Sequence, residues 1–235
     1  MTASPTLGLS PTDRVMILAP HPDDEALGTG GLIQQALAAG ASVRVVFVTD
    51  GDNNPWPQRH AERRLIIRPA DRRRLGAQRR AEAVHALATL GLGGGDTFFL
   101  GFPDTALLPL WKKRDAAALA AFSRALADWP PTLLVTPSAH DRHPDHCGVF
   151  ALAQAALGRN GQSPAQVSYL IHRPWFRRAP VLDVALPLTS AQRETKLRAI
   201  LCHETQMKLS RRRFTSFAKP VEMFASVPPS AAGRA

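Results

Sequence analysis

With 235 residues, 45% of them hydrophobic and 20% charged, the chain has the size and balance of one globular α/β domain. That excludes a low-complexity chain, and two cysteines are too few for a disulfide framework. No apolar stretch approaches the length of a membrane span, so no integral membrane segment is expected, and the net charge of +10 directs attention to acidic partners.

Residues 1–13 lack a basic start followed by an apolar core, so they read as a flexible N-terminus rather than a secretory signal. With reduced cysteines, this predicts a cytoplasmic protein. A single domain is expected over 14–225. Val15 to Ala19 is an apolar, β-branched run and reads as the first strand. It leads into Pro20-His21-Pro22-Asp23-Asp24-Glu25, and a helix follows from about Ala26 to Ala39, with Leu27, Leu32, Ile33, Ala36 and Leu37 at helical spacing. Gly40 ends that helix. The Gly28-Thr29-Gly30-Gly31 run lacks the Lys-Ser/Thr of a phosphate loop and reads as close packing of the helix.

Val43 to Val48 is the second strand. Asn53 to Gly76 has no clear period, and a connection of that length is usually functional or mobile. A helix over Gln78 to Leu90 precedes a third strand at Thr97 to Leu100, which ends in Gly101-Phe102-Pro103-Asp104. A helix over Ala116 to Ala127 and a strand over Leu133 to Thr136 lead to Ala139-His140-Asp141-Arg142-His143-Pro144-Asp145-His146. The next helix runs from Cys147 to Leu157. Strands near Val167 to Ile171 and Val181 to Ala185, and a helix over Ala191 to Leu201, complete the domain. Residues 226–235 read as a disordered tail. Strands alternating with helices in this way predict an α/β fold, a largely parallel, doubly wound sheet with helices on both faces.

Two His-Pro-Asp turns thus follow the first and fourth strands, at the sheet edge where open α/β folds bind ligands. Asp23 or Asp24 as a mere helix cap accounts for the first turn alone. Capping explains two such turns less well. If the two strands are neighbours, the turns converge on one metal. His21, Asp24 and His146 are the expected ligands: two imidazoles, a carboxylate and an open position, the pattern of a catalytic Zn2+ site. Asp23 is then free as general base toward zinc-bound water. His143, one helical turn before His146, is placed to act, when protonated, on an oxyanion or leaving group. Asp145 is placed to hydrogen-bond and orient one imidazole. Cys147 and the remaining histidines, His60, His85, His140, His172 and His203, read as packed or surface residues, with His140 nearest the site in sequence.

Together, His21-Pro22-Asp23-Asp24-Glu25 and His143-Pro144-Asp145-His146 resemble the LmbE-like, or PIG-L, zinc-dependent de-N-acetylases over about Val15 to Gln206. The resemblance implies a Rossmann-like fold and hydrolysis of an N-acyl group, usually acetyl on glucosamine. It assigns zinc to His21, Asp24 and His146, the base to Asp23, and polarisation of the intermediate to His143. It also makes Arg79, in Arg79-Arg80-Ala81-Glu82, and Asp104 contacts of the sugar. Some members carry tyrosine where this chain has Asp141. The partner implied is a small-molecule N-acylated amino sugar or conjugate, and a homo-oligomer is compatible with it. The acyl group and acceptor are not carried over.

Three other readings remain open on the sequence. One is an amidase of a non-sugar amide. Another is an Fe2+ site, since two histidines and a carboxylate also describe a non-haem iron triad. The third is nucleic-acid binding through the arginine block from Arg59 to Arg80 and the cluster Arg211-Arg212-Arg213. The first block lacks aromatic interleaving, so no nucleic acid is expected.

Overall fold

The computed structural model describes residues 7–53, 58–59, 62–174 and 180–228. Seven strands form one sheet in the order β3-β2-β1-β4-β5-β7-β6. The strands are β1 (Arg14–Ala19), β2 (Ser42–Thr49), β3 (Thr97–Phe102), β4 (Leu133–Pro137), β5 (Ala165–Tyr169), β6 (Val184–Pro187) and β7 (Val221–Ser226). The helices are α1 (Asp24–Ala38), α2 (Pro69–Thr89), α3 (Leu107–Lys112), α4 (Ala116–Asp128), α5 (Pro144–Asn160), α6 (Ser190–Leu201) and α7 (Glu204–Thr215). The first five strands are parallel, and β7 pairs antiparallel with both β5 and β6. The expected doubly wound architecture is present, with an antiparallel edge.

Parallel strands covered on both faces read as continuous apolar runs, and β1 is such a strand. Val15, Ile17 and Ala19 enter one core with Leu27, Leu32 and Ile33 of α1 and Ala83, Ala86 and Leu87 of α2. Met16 and Leu18 enter the other, with Phe122 and Leu126 of α4 and Val149 and Leu152 of α5. The chain leaves β1 for β2 and β3 on one side, then returns to place β4 on the other, with Val15 opposite Leu133 and Ile17 opposite Val135. That reversal is the switch point at which such sheets bind ligands. It puts both His-Pro-Asp turns side by side.

Several elements depart from the sequence reading. Helix α2 begins at Pro69, inside the stretch expected to lack structure, because Asp71 accepts the Arg68 N–H and so caps the helix start. Strand β6 begins at Val184 instead of Val181, whose side chain is 81% exposed. Helices α3 and α7 and strand β7 were not anticipated, and β7 carries the sheet through Ser226, the first residue of the expected tail. Residues 229–235 and 1–6 lie outside the described residues. Within the expected flexible N-terminus, Leu7 and Leu9 pack on the core and Asp13 accepts hydrogen bonds from Ser10.

The glycine run of α1 is a packing device. A Cβ on Gly28 would meet the Tyr169 ring at 2.6 Å, and one on Gly31 would meet Leu188 at 2.3 Å. Lys196 and Glu222 meet α1 here: the Lys196 ammonium donates to the Leu27 carbonyl, while Glu222 accepts the Gly31 and Leu32 N–H groups. Among the described residues, no helix is long and apolar enough to cross a membrane.

Candidate active site

The first turn is bent tightly. Asp23 sits at the N-cap position of α1 with φ of 132°, a left-handed value that costs a non-glycine residue strain. Its carboxyl makes no capping hydrogen bond. Glu25 holds the bend by accepting the Asp23 N–H at 2.9 Å, and the other Glu25 oxygen lies 2.8 Å from Nε2 of His203. Arg79 of α2 donates to the Pro22 carbonyl at 2.7 Å and to Asp23 Oδ2 at 3.3 Å. Its guanidinium also donates to Gly51, where a Cβ would meet Arg79 Nη1 at 2.0 Å. Gly51, at φ of +60°, leaves the room that Arg79 needs.

The second turn is a hydrogen-bonded frame. His143 Nδ1 accepts the Asp145 N–H at 3.2 Å and caps α5, so the ring nitrogen left for a ligand is Nε2. The Asp145 carboxylate accepts the N–H groups of Thr105 and Leu107 at 2.7 and 3.0 Å, capping α3. Helix α3 can approach because α5 has Gly148 at the crossing, where a Cβ would meet the Leu108 nitrogen at 2.5 Å. Asp141 accepts N–H groups from His143, Ile171 and His172 at 2.8, 3.0 and 3.0 Å, and its Oδ2 lies 3.2 Å from His146 Nδ1.

The two turns meet at Asp24. Its Oδ2 lies 3.2 Å from His21 Nδ1 and 3.3 Å from His146 Nε2. On its other side, His21 Nε2 faces Asp104 Oδ1 at 3.2 Å and Asp145 Oδ2 at 3.3 Å. The His21 and His146 rings are 5.6 Å apart, and the His143 ring is 4.7 Å from His21. All of these side chains are buried except His143, which is half-buried.

Burial works against charge on every group, and the neighbours decide the outcome. For Asp23, burial wins over Arg79 and raises the carboxyl to about 6. Burial opposes the charged form of Asp24 too, but His146 and His21 hold it well below the usual carboxylate range. Against burial, Asp24 and Asp141 push His146 up to about 9, and Asp104, Asp145 and Asp24 raise His21. His143 is pulled down to about 4 by burial and then by His21 and His146. Those neighbours favour the neutral form of its ring.

These residues fit a divalent metal. Both ring nitrogens of His146, buried at 0% exposure, lack a hydrogen-bond partner among the described residues, although carboxylates face them. Orphaned imidazole nitrogens in a dry site are expensive unless something ligates them. Two sets of three groups have ligand atoms within 4.8 Å of one another: His21 with His143 and His146, and His21 with Asp104 and Asp145. His21 belongs to both sets, and neither set joins Asp24 to His21 and His146.

A cavity of about 440 Å³ opens over this cluster, lined on one side by His21, Asp23, Asp24, Arg79, Asp104 and His143. Its other side is α7, with Gln206, Leu209, Ser210, Arg213 and Phe214. His21, Asp23, Asp24, Arg79, Asp104, His143, Asp145 and His146 come together here. Arg79 and Asp104, expected as sugar contacts, reach the wall while already bonded to Asp23 and His21. Asp145 meets the His21 imidazole, as expected of an orienting group. His140 is exposed, and it is His172 that enters the cavity, 5.2 Å from the His146 ring. His203 is buried behind Glu25. Sequence reasoning missed Asp141 and His172, while His203 is packed as expected; an Asp two residues before His143 was the available signal for the first. In the arginine block, Arg64 and Arg74 bond Asp71, Arg74 also bonds Glu62, and Arg80 bonds Asp50 outside the block.

The family model for PIG-L, the GlcNAc-PI de-N-acetylases, matches residues 16–157. A 1D-myo-inositol 2-acetamido-2-deoxy-alpha-D-glucopyranoside deacetylase of Mycobacterium sp. (strain KMS) is 36% identical over an alignment of 159 residues that covers 62% of this chain and 50% of that protein. The chain thus aligns with about half of that relative's length. Among solved structures, the zinc-inhibited form of teicoplanin deacetylase Orf2 superposes with a TM-score of 0.70 at 19% identity, covering 93% of this chain and 99% of that one. GalB, a 4-carboxy-2-hydroxymuconate hydratase from Pseudomonas putida KT2440, superposes at 0.69 with 19% identity, covering 93% and 97%. The fold alone therefore does not decide the reaction.

Proposed function

The chain belongs to the PIG-L family, and from that premise we propose that it is a metal-dependent hydrolase that removes an N-acyl group, acetyl in the first instance, from an amino sugar or its conjugate. One observation carries the reading. His21 and His146, from turns 125 residues apart, both lie within 3.3 Å of one Asp24 oxygen, with a buried carboxyl of raised pKa alongside.

When bound, a zinc or similar ion supplies a Lewis acid that polarises the acyl carbonyl and acidifies water. His21, Asp24 and His146 would hold it. The Asp23 carboxylate takes a proton from the attacking water and returns it to the amide nitrogen as the C–N bond breaks, releasing the amine and the carboxylic acid; its pKa of about 6 suits a base working near neutrality. Arg79 and the Glu25 clamp keep that carboxyl aimed into the cavity. His143 Nε2–H, fixed by the bond at Nδ1, donates to the carbonyl oxygen as negative charge develops there. Asp141 and Asp145 keep the imidazoles of His146 and His21 in register. Asp104 and Asn53, bonded to each other at 3.0 Å, form the polar wall for sugar hydroxyls.

The test is a product assay with metal-loaded protein and N-acetylglucosamine conjugates, screening for free amine and acetate. Release of both, lost on chelation and restored by zinc, is expected. A chain that binds metal stoichiometrically yet releases neither product would overturn the deacetylase reading.

A further inference from the structure

Asp23, the base in the reading above, is held from behind by a side chain that does not line the cavity. Its φ is 132°, and such a backbone conformation costs as much as one ordinary hydrogen bond contributes on balance. The bond from the Asp23 N–H to Glu25 Oε2 therefore does not keep the bend unless Glu25 is itself fixed. Glutamate is among the side chains with most rotamer freedom to lose, and Glu25 is fully buried. Its other oxygen, Oε1, lies 2.8 Å from His203 Nε2. A carboxylate only accepts, so the imidazole donates. The two carboxylate oxygens are rigidly joined, and anchoring Oε1 anchors Oε2 against the Asp23 N–H.

Packing alone does not account for His203. It is 1% exposed, it makes no capping bond although it stands at the N-cap position of α7, and its Nδ1 lacks a hydrogen-bond partner among the described residues. An aliphatic side chain would fill the space without leaving a buried polar atom unpaired. What the imidazole adds is the donor at Nε2, and Glu25 is the group it meets. The chain around His203 is anchored as well. Thr205 donates its N–H and its hydroxyl to the two carboxylate oxygens of Glu82, at 3.1 and 2.6 Å. Glu82 lies one turn after Arg79 on α2, and Arg79 bonds Asp23 Oδ2 and the Pro22 carbonyl. The start of α7 thus reaches both supports of Asp23: the Glu25 arm at its N–H and the Arg79 helix at its carboxyl. Gln206, the next residue, lines the cavity.

We propose that His203 is a positioning residue: acting through Glu25, it fixes the direction in which the Asp23 carboxyl faces the substrate amide. This rests on the reading of Asp23 as the base of an N-acyl hydrolase. His203 touches no reacting atom and no candidate metal ligand, so its loss falls on the chemical step and spares the binding of substrate and metal.

Two variants test this. His203→Phe keeps a ring and removes the donor, whereas His203→Gln keeps a donor of similar reach. With metal-loaded protein and the methyl glycoside of N-acetylglucosamine, the phenylalanine variant is expected to lose about tenfold to hundredfold in kcat, as a misplaced catalytic group does, with KM and metal content unchanged. The glutamine variant should recover most of that rate. By NMR-detected hydrogen exchange, the Asp23 amide should lose protection in His203→Phe while the amides of β1 and β4 keep theirs. An unchanged kcat, a loss carried by KM, a glutamine variant no better than phenylalanine, or an Asp23 amide that stays protected would overturn the proposal. If the phenylalanine variant does not fold, His203→Asn, whose amide stops short of Glu25, takes its place in the same comparison. If the wild-type chain hydrolyses no N-acetylglucosamine conjugate, the function proposed above fails on its own. Exchange of the Asp23 amide then still decides whether His203 places Asp23.

Discussion

Two clusters of buried charge flank α1, and they are built on opposite terms. Lys196 and Glu222, 1% and 5% exposed, satisfy each other and the helix: the ammonium bonds Glu222 and the Leu27 carbonyl, and the carboxylate takes two N–H groups of α1. Nothing in that cluster asks for a ligand. At the N-terminus of the same helix, both His146 nitrogens face carboxylates yet make no hydrogen bond among the described residues, one Asp24 oxygen is shared between two imidazoles, and Asp23 is held at positive φ. Burial is similar in the two places. Satisfaction differs, and it is the unsatisfied cluster that lines a cavity.

The contrast is sharpest in what each cluster loses when one member is changed. Asp23→Asn should slow turnover by on the order of 10²–10⁴ while metal content, measured by atomic emission, stays at one equivalent. An unchanged rate would remove the base from the mechanism. Lys196→Met should do the reverse. Leaving Glu222 buried without its cation costs about 3–5 kcal/mol in urea unfolding, with metal binding per folded molecule preserved. If Lys196→Met proved harmless to stability, the two clusters would not differ in kind.

Asp141→Asn tests a smaller effect, the support that Asp141 gives His146. Metal affinity by competition with a chelator should fall about tenfold to hundredfold. The smallest effect concerns His203 and Glu25, which join the site to α7. Burial opposes the charged ring, but Glu25 outweighs it and raises the His203 pKa above its unfolded value of about 6.5. The stability held by the pair is therefore full below that pH and is lost as pH rises through the folded-state value. The urea midpoints of wild type and His203→Gln should accordingly converge as pH rises, and a gap that widened would show that the ring is not held charged.

The legible parts of the sequence were those in which a local pattern coincides with the final environment. Val15 to Leu18 is buried on both faces and reads as an unbroken apolar run, so β1 was visible, and so was β4. His21, Asp24 and His146 could be picked out as candidates because each lies at a strand-to-helix junction rich in imidazole and carboxylate groups. Helix α2 was misplaced at its start because Arg68, Arg73 and Arg74 face solvent and leave no period to count. Helix α7 was missed because Ser210 breaks its repeat, and β7 because its place lies between strands made earlier in the chain.

Sequence alone determined the α/β alternation, the two turns and the donor atoms they carry, because strand burial and turn chemistry are properties of neighbours along the chain. Tertiary structure decided that β1 and β4 are adjacent and that Arg79 and Glu25 clamp Asp23. It also decided that Asp141 and His172, one overlooked and the other dismissed, stand beside His146. Those relations depend on which surfaces the fold brings within hydrogen-bonding reach, and a distance of a few ångströms between residues dozens of positions apart leaves no periodic trace in sequence.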